Sequence, residues 1–502
     1  MNKKGFTLME IIVVIALLGA IMLLVVPNIT KNFKDSKKRL FYDNVVSLYT
    51  SAGRSFLLLD NTSNKTFSNS GNTLDVDVSE DITYKIVVNS YGEVTSMYVT
   101  NGTYSYSKSN SNGIKKKDIK LDDIVEGTGG EDVSAKVTLF DKLLEDNPTI
   151  SERTDFSTPF TTNTANTLYK ASENAIDVYY FAGVDSADTP VNNWVKFGKY
   201  QTDYVKYKGY NSSTSSGYVL YHTMEECTSA TSNNVNCTAF NFESAGADIY
   251  WRIIRTNSDG SIRLLYSGTS PDTSKGHISK SAFNANADSP KYAGYMYGNT
   301  DTTLEEARTN TNDSTIKTYI DNWYENYFIS YTNYLSNDAV YCNNRELAGY
   351  TYSTSSRIEF ESYRRLKDNK APTYDCANSK DAFSGNNNEA KLKYPIALMT
   401  ADEIAYAGGV AVQNAPMWYY TNSAYNSIIS SSLWWNFSPN YYYKTVYVWG
   451  VFGAINPGYM RSFNVDSVAE VRPVVSLKSC TVYKSGDGSV ENPYEIEMNG
   501  GC

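Results

Sequence analysis

Few residues in this 502-residue chain are of a type and spacing that does chemistry. There are two histidines, His222 and His277, so a multi-histidine metal centre or a histidine proton relay has little to build on. Neither lies in a motif expected of a Ser-His-Asp triad, and both are assigned to satisfied or exposed positions. Carboxylate pairs for glycoside hydrolysis cannot be picked out of 54 acids. Oxygen donors at Asn312-Asp313-Ser314 and Gly486-Asp487-Gly488 read as turns, because the alternating Asp pattern of an EF-hand is missing. No catalytic residue, metal site or cofactor is expected, and the chain is not expected to be an enzyme.

Two residue sets remain. Six cysteines (Cys227, Cys237, Cys342, Cys376, Cys480 and Cys502) crowd into the last part of the chain without a CxxC pair, which favours an oxidised, exported set over a zinc ribbon. Many connectivities are open to them; pairing of neighbours, 227–237, 342–376 and 480–502, is the simplest. Tyr is the compositional outlier, with 43 residues against 19 Phe and 7 Trp. Tyr and Trp offer large rigid contacts with a polar tip, so Trp418, Tyr419, Tyr420, Tyr441, Tyr442 and Tyr443 are candidates for stacking on sugar rings of a surface polysaccharide. Trp434 and Trp435 are assigned to the core. A net charge of −9 argues against a nucleic-acid partner.

The sharpest signal is a single carboxylate. Phe6 to Val26 reads FTLMEIIVVIALLGAIMLLVV, with Glu10 its only charge. An apolar run of about 20 residues spans a bilayer as a helix, and exceeds the ~7–15 apolar residues of a cleaved signal peptide. A carboxylate near the middle of such a helix costs about 2.5–3.5 kcal/mol, so one that persists near its start calls for a partner. Lys3-Lys4-Gly5, then Phe6-Thr7-Leu8-Met9-Glu10 and the apolar run, resemble the type IV prepilin family, which includes pseudopilins. That resemblance implies cleavage between Gly5 and Phe6 by a membrane prepilin peptidase and N-methylation of Phe6. It also implies pairing of Glu10 with the terminal amine of a neighbouring pilin subunit, and it accounts for Pro27. An amine and a carboxylate in low dielectric relieve each other's desolvation, which sets axial register in a filament.

The elements that carry these residues suggest an α+β protein. Phe33, Leu40, Phe41, Val45, Leu48, Ala52 and Phe56 continue a helical pattern, so 6–59 reads as one long helix, membrane-spanning over 6–26, and the prepilin resemblance implies that residues 1–5 are a leader. Residues 60–130 read as a small antiparallel head, with a hairpin over 81–100 and a third strand at Tyr104 and Tyr106. Residues 131–167 read as a short helix and linker, and 168–502 as a large mixed α/β domain. Within it, Tyr250–Arg255 and Ile262–Tyr266 form a hairpin about Asn257-Ser258-Asp259-Gly260. Ser314 caps a helix, and Thr400 with Glu403 forms a capping box. Basic residues at Lys31, Lys34, Lys37, Lys38 and Arg39 would place the carboxyl side in the cytoplasm by charge counting. The cytoplasmic peptidase and the oxidised cysteines outweigh that count.

Trp251-Arg252-Ile253-Ile254-Arg255, Asp259–Arg263, Tyr394-Pro395-Ile396, Trp434-Trp435 with Ser438-Pro439, and Val471-Arg472-Pro473 resemble an uncharacterised bacterial surface domain. That domain is similar to C-type-lectin-like and formylglycine-generating-enzyme-like folds. Its usual Leu-Arg before Ser-Pro is replaced here by Asn436-Phe437. The two resemblances imply a minor pilin or pseudopilin of a surface filament or type II secretion-like apparatus. It would be single-pass in the cell membrane, extracellular beyond the helix, and would display an adhesion module. Its partners would be the prepilin peptidase, other pilins and the assembly platform. The alternative is a membrane-tethered surface protein with a glycan-binding or enzymatic C-terminal domain.

Overall fold

The computed structural model describes residues 8–58, 65–69, 73–78, 82–89, 91–110, 113–127, 137–162, 165–210, 218–230, 237–423, 425, 433–453 and 456–498. It is a mixed α/β structure in two compact units, Met1–Val137 and Thr138–Cys502.

In the first unit, α1 runs Leu8–Leu57. Phe41, Val45, Leu48, Ala52 and Phe56 recur at three- and four-residue spacing, and all five are buried. They pack on a meander of five strands in sequence order: β1 (Lys65–Ser68), β2 (Thr83–Val88), β3 (Val94–Thr100), β4 (Tyr104–Ser109) and β5 (Val125–Glu126). The turn between β2 and β3 places Gly92 at φ 83°, a left-handed conformation that glycine adopts without a Cβ penalty. Tyr49 Oη donates to the Ile114 carbonyl at 2.8 Å and ties the helix to the loop after β4. Glu126 pairs with Tyr104 in β5 and closes the sheet. Among the described residues no helix is long and apolar enough to cross a membrane. Most side chains of the Phe6–Val26 run, those of Glu10 and Pro27 included, lie outside the described residues, as do Gly5 and Phe6.

The second unit starts about thirty residues before the expected boundary at 168. Helix α2 (Leu139–Asp146) is capped by Thr138, whose hydroxyl accepts from the Asp141 amide at 3.1 Å, and it buries Leu139 and Leu143. After it, β6 (Thr149–Glu152) pairs in parallel with β7 (Thr167–Glu173). Residues read as a linker therefore belong to the main sheet. The Thr/Asn/Pro-rich stretch after β6 is only the crossover between two parallel strands.

That sheet runs Ile396–Leu398, Pro473–Leu477, β14 (Ile262–Tyr266), β13 (Asp248–Thr256), β8 (Ile176–Tyr180), β7, β6, with β9 (Trp194–Lys199) also pairing β13. β13 and β14 form the expected hairpin, with Gly260 at φ 77° in the turn. A second sheet is built around Trp434–Tyr443 and Thr445–Val451. A third has the order β11 (Tyr218–Tyr221), β10 (Tyr204–Tyr210), β12 (Thr238–Glu243). Ser314 caps the Thr315–Tyr327 helix through the Lys317 amide. Thr400 and Glu403 form the capping box of the Ala401–Tyr406 helix.

Buried ion pairs lock these layers. The Arg255 guanidinium bonds Glu173 at 2.8 Å and Glu403 at 3.0 Å, and Arg263 meets the same Glu403 oxygen at 2.5 Å. Arg252 pairs with Asp185 at 2.8 Å and stacks on Trp194. Arg472 donates to the carbonyls of Tyr266 and Tyr419. The arginines of the recognisable motifs are thus structural. At the position of the replaced arginine, Asn436 is fully buried and Phe437 packs against Tyr295.

Candidate functional site

The aromatic residues put forward for sugar stacking do not form a site. Trp418 and Tyr419 have no exposure, Tyr420 is 6 % exposed and Tyr442 3 %. Their polar tips bond inward: Trp418 Nε1 to the Phe181 carbonyl, Tyr419 Oη to that of Ala415, and Tyr442 Oη to those of Asp288 and Thr354. Tyr441 is stacked on Tyr447 and covered by Arg357. Only Tyr443 of the six is exposed. Their large apolar area is used for burial, which outweighs its value as a contact surface.

A cavity of about 600 Å³ lies elsewhere in the second unit, between β10, the start of α3 (Met224–Ala230), the loop around Asn284–Asn286 and the Thr315–Tyr327 helix. Strand periodicity places Tyr204 and Lys206 on the same, buried face of β10. The register of β10 with β11 sets Tyr207 opposite Tyr221, which brings His222 beside Lys206. Helix periodicity turns Thr315, Thr318, Tyr319, Asn322, Asn326 and Tyr327 toward the cavity, while Ile316, Ile320 and Tyr324 are buried in the core. Tyr319 and Tyr327 are half-buried at the cavity wall.

Lys206 is 1 % exposed. Its ammonium bonds His222 Nδ1 and Tyr319 Oη, the latter at 3.3 Å, and lies over the rings of Tyr204 and Tyr319 at 5.0 and 5.1 Å. Among the described residues no carboxylate is within ion-pair distance of it. Burial pushes its pKa down to about 7, against a smaller opposing pull from Glu226. Burial and the Lys206 charge hold His222 down at about 4, so the imidazole is neutral and Nδ1 accepts from the lysine. The Glu226 carboxylate is taken up by the backbone amides of His222 and Thr223, at 2.9 and 3.3 Å. Asp313 across the cavity is paired with Lys317 at 3.2 Å. Asn284 is 2 % exposed at the cavity wall, and its amide NH₂ has no hydrogen-bond partner among the described residues.

The disulfide Cys227–Cys237 fastens α3, and with it the His222–Glu226 arm, to the start of β12. Cys342 and Cys376 form a second disulfide. Cys480 is also disulfide-bonded, and Cys502 lies outside the described residues. No described cysteine is free. His277 is buried, with Nδ1 accepting from the Ser279 amide and Nε2 at 3.5 Å from Glu470. It faces no nucleophile that the described residues supply. Sequence reasoning missed the cavity because its parts come from separate elements, with Lys206 and Tyr319 113 residues apart. The available signals were a lysine on the inward face of a strand and a helix stripe alternating Thr and Asn with Tyr.

Residues 1–26 match the family described as the prokaryotic N-terminal methylation motif. Searches of curated proteins and of solved structures found no match to the chain. The amino terminus is therefore a type IV prepilin-like leader joined to a mixed α/β protein of two units.

Proposed function

We propose that the chain is a type IV pilin-like subunit, a minor pilin or pseudopilin, which displays its second unit outside the cell as a binding module, lectin-like in character. The observation that carries this reading is the methylation motif over residues 1–26, with Glu10 alone in the apolar run. After cleavage at Gly5–Phe6, the freed Phe6 amine and Glu10 of a neighbouring subunit neutralise each other, and residues 6–26 serve as membrane anchor and filament core. The second unit, Thr138–Cys502, is too large to repeat along a tightly packed shaft, which favours a minor or tip position. The cavity beside Lys206 is its ligand site: its volume of about 600 Å³ falls in the ~300–1,000 Å³ range of small-ligand pockets. Binding rather than catalysis fits a wall whose two carboxylates are both engaged, Glu226 by backbone amides and Asp313 by Lys317. Glu10→Ala tests assembly. Incorporation into sheared surface filaments is lost while membrane-bound precursor persists; unchanged incorporation would refute the pilin role and favour a tethered surface protein.

A further inference from the structure

We infer that the cavity beside Lys206 takes an acidic saccharide, its carboxylate seated against the Lys206 ammonium and its ring against the Tyr319 and Tyr327 wall. The inference rests on the reading of this cavity as the ligand site.

Three features carry it. A buried cation is normally paired, because removing an ammonium from water is costly unless an anion compensates. The described residues offer Lys206 an imidazole and a phenol but no carboxylate, and the two acids nearest the cavity are already engaged, Glu226 by backbone amides and Asp313 by Lys317. A ligand anion is the missing partner. The amide NH₂ of Asn284 is a second buried donor without an acceptor among the described residues, and it lines the same cavity. The helix lining the cavity alternates ring faces with short polar side chains: Tyr319 and Tyr327 beside Thr318, Asn322 and Asn326. Rings that cover the apolar face of a pyranose, amides and hydroxyls that bond its edge, and one cation for a carboxylate make up the chemistry of an acidic sugar rather than of a bare anion.

The site also has a pH signature. Lys206 titrates at about 7 in the free protein, and a bound carboxylate raises that value. Affinity is therefore full below about 7 and falls as the pH rises past it, by up to about tenfold per unit. His222 is held near 4 and burial raises Tyr204 and Tyr319 above their usual range, so none of these three titrates there. The one acid facing Lys206, Glu226, bonds the backbone amides of His222 and Thr223.

The test uses the full chain in detergent micelles and isothermal titration with glucuronate, N-acetylneuraminate, neutral glucose and acetate. At least one acidic sugar binds more tightly than glucose and acetate, by about 10–100-fold, the range of a charged hydrogen bond. The preference over glucose shrinks about fivefold between pH about 7 and about 8. Lys206→Met abolishes it with the near-ultraviolet circular dichroism unchanged, and Thr318→Trp, on the exposed helix face, blocks all saccharide binding by filling the cavity. If glucose binds as tightly as the acids and Thr318→Trp removes both, the cavity stands as a binding site and the acidic assignment falls. If acetate binds as tightly as the acidic sugars, the saccharide assignment falls. If neither acidic sugar binds, or binding survives Thr318→Trp, the inference is overturned.

Discussion

Arg255 and Lys206 are buried cations of one unit, 2 % and 1 % exposed. Arg255 lies between the carboxylates of Glu173 and Glu403, and Glu403 is shared with Arg263 and caps its own helix. Lys206 has an imidazole and a phenol for company and opens onto a cavity. In the first cluster every charge has its counter-charge inside the protein. In the second, the counter-charge is missing. Arg255 and Arg263, which two of the recognisable motifs contribute, belong to the closed cluster, whereas the open one has no motif. Recognisable residues here report the fold, and the binding chemistry lies among residues that no local pattern marks.

The largest effect expected from breaking this contrast is at Glu403. Glu403→Ala leaves two buried guanidinium groups short of a partner, and urea unfolding should show a loss of about 3–5 kcal/mol. The pH response of the closed cluster comes next. Burial raises the Glu173 carboxyl, but the Arg255 guanidinium more than offsets this and holds it at about 2; Glu403 is lowered for the same reason. A carboxylate whose folded pKa is depressed contributes stability above its unfolded value near 4.5 and loses it as pH falls toward 2. For Glu173 this amounts to about 3 kcal/mol, read as a drop in unfolding free energy between pH about 4.5 and about 2. Third, Cys227→Ser opens a short loop and should cost about 2–3 kcal/mol, with faster hydrogen exchange over 218–230 than in the main sheet. The smallest effect is at Lys206. Lys206→Met removes an uncompensated charge and keeps the stem, so unfolding free energy should change by less than about 1 kcal/mol. A loss as large as that of Glu403→Ala would erase the distinction between the clusters.

Local signals made much of the fold legible. The Asn257–Gly260 turn between two β-branched runs, the Ser314 cap and the Thr400–Glu403 box each involve residues within a few positions of one another, and each appears where expected. The parallel pairing of β6 with β7 joins strands across a polar crossover; residues 131–167 read as a short helix and linker, and the helix is found at Leu139–Asp146 while the strand pairing has no local signal. The aromatic run around Trp418–Tyr420 illustrates the opposite failure. Its composition suits a binding surface and a core equally well, and only tertiary packing decides between them; here it is core. The cavity gathers Lys206, His222, Asn284 and Tyr319 from four separate elements, so neither period nor spacing brings them together.

The role assigned to the whole chain depends on what happens at its amino terminus, residues that a local motif marks as clearly as the cavity is unmarked. Mass spectrometry of the protein purified from cell-surface filaments tests it directly. A mature chain beginning at N-methylated Phe6 is the expected result; a chain that retains Met1, or one cut beyond Val26, would contradict the pilin-like assignment.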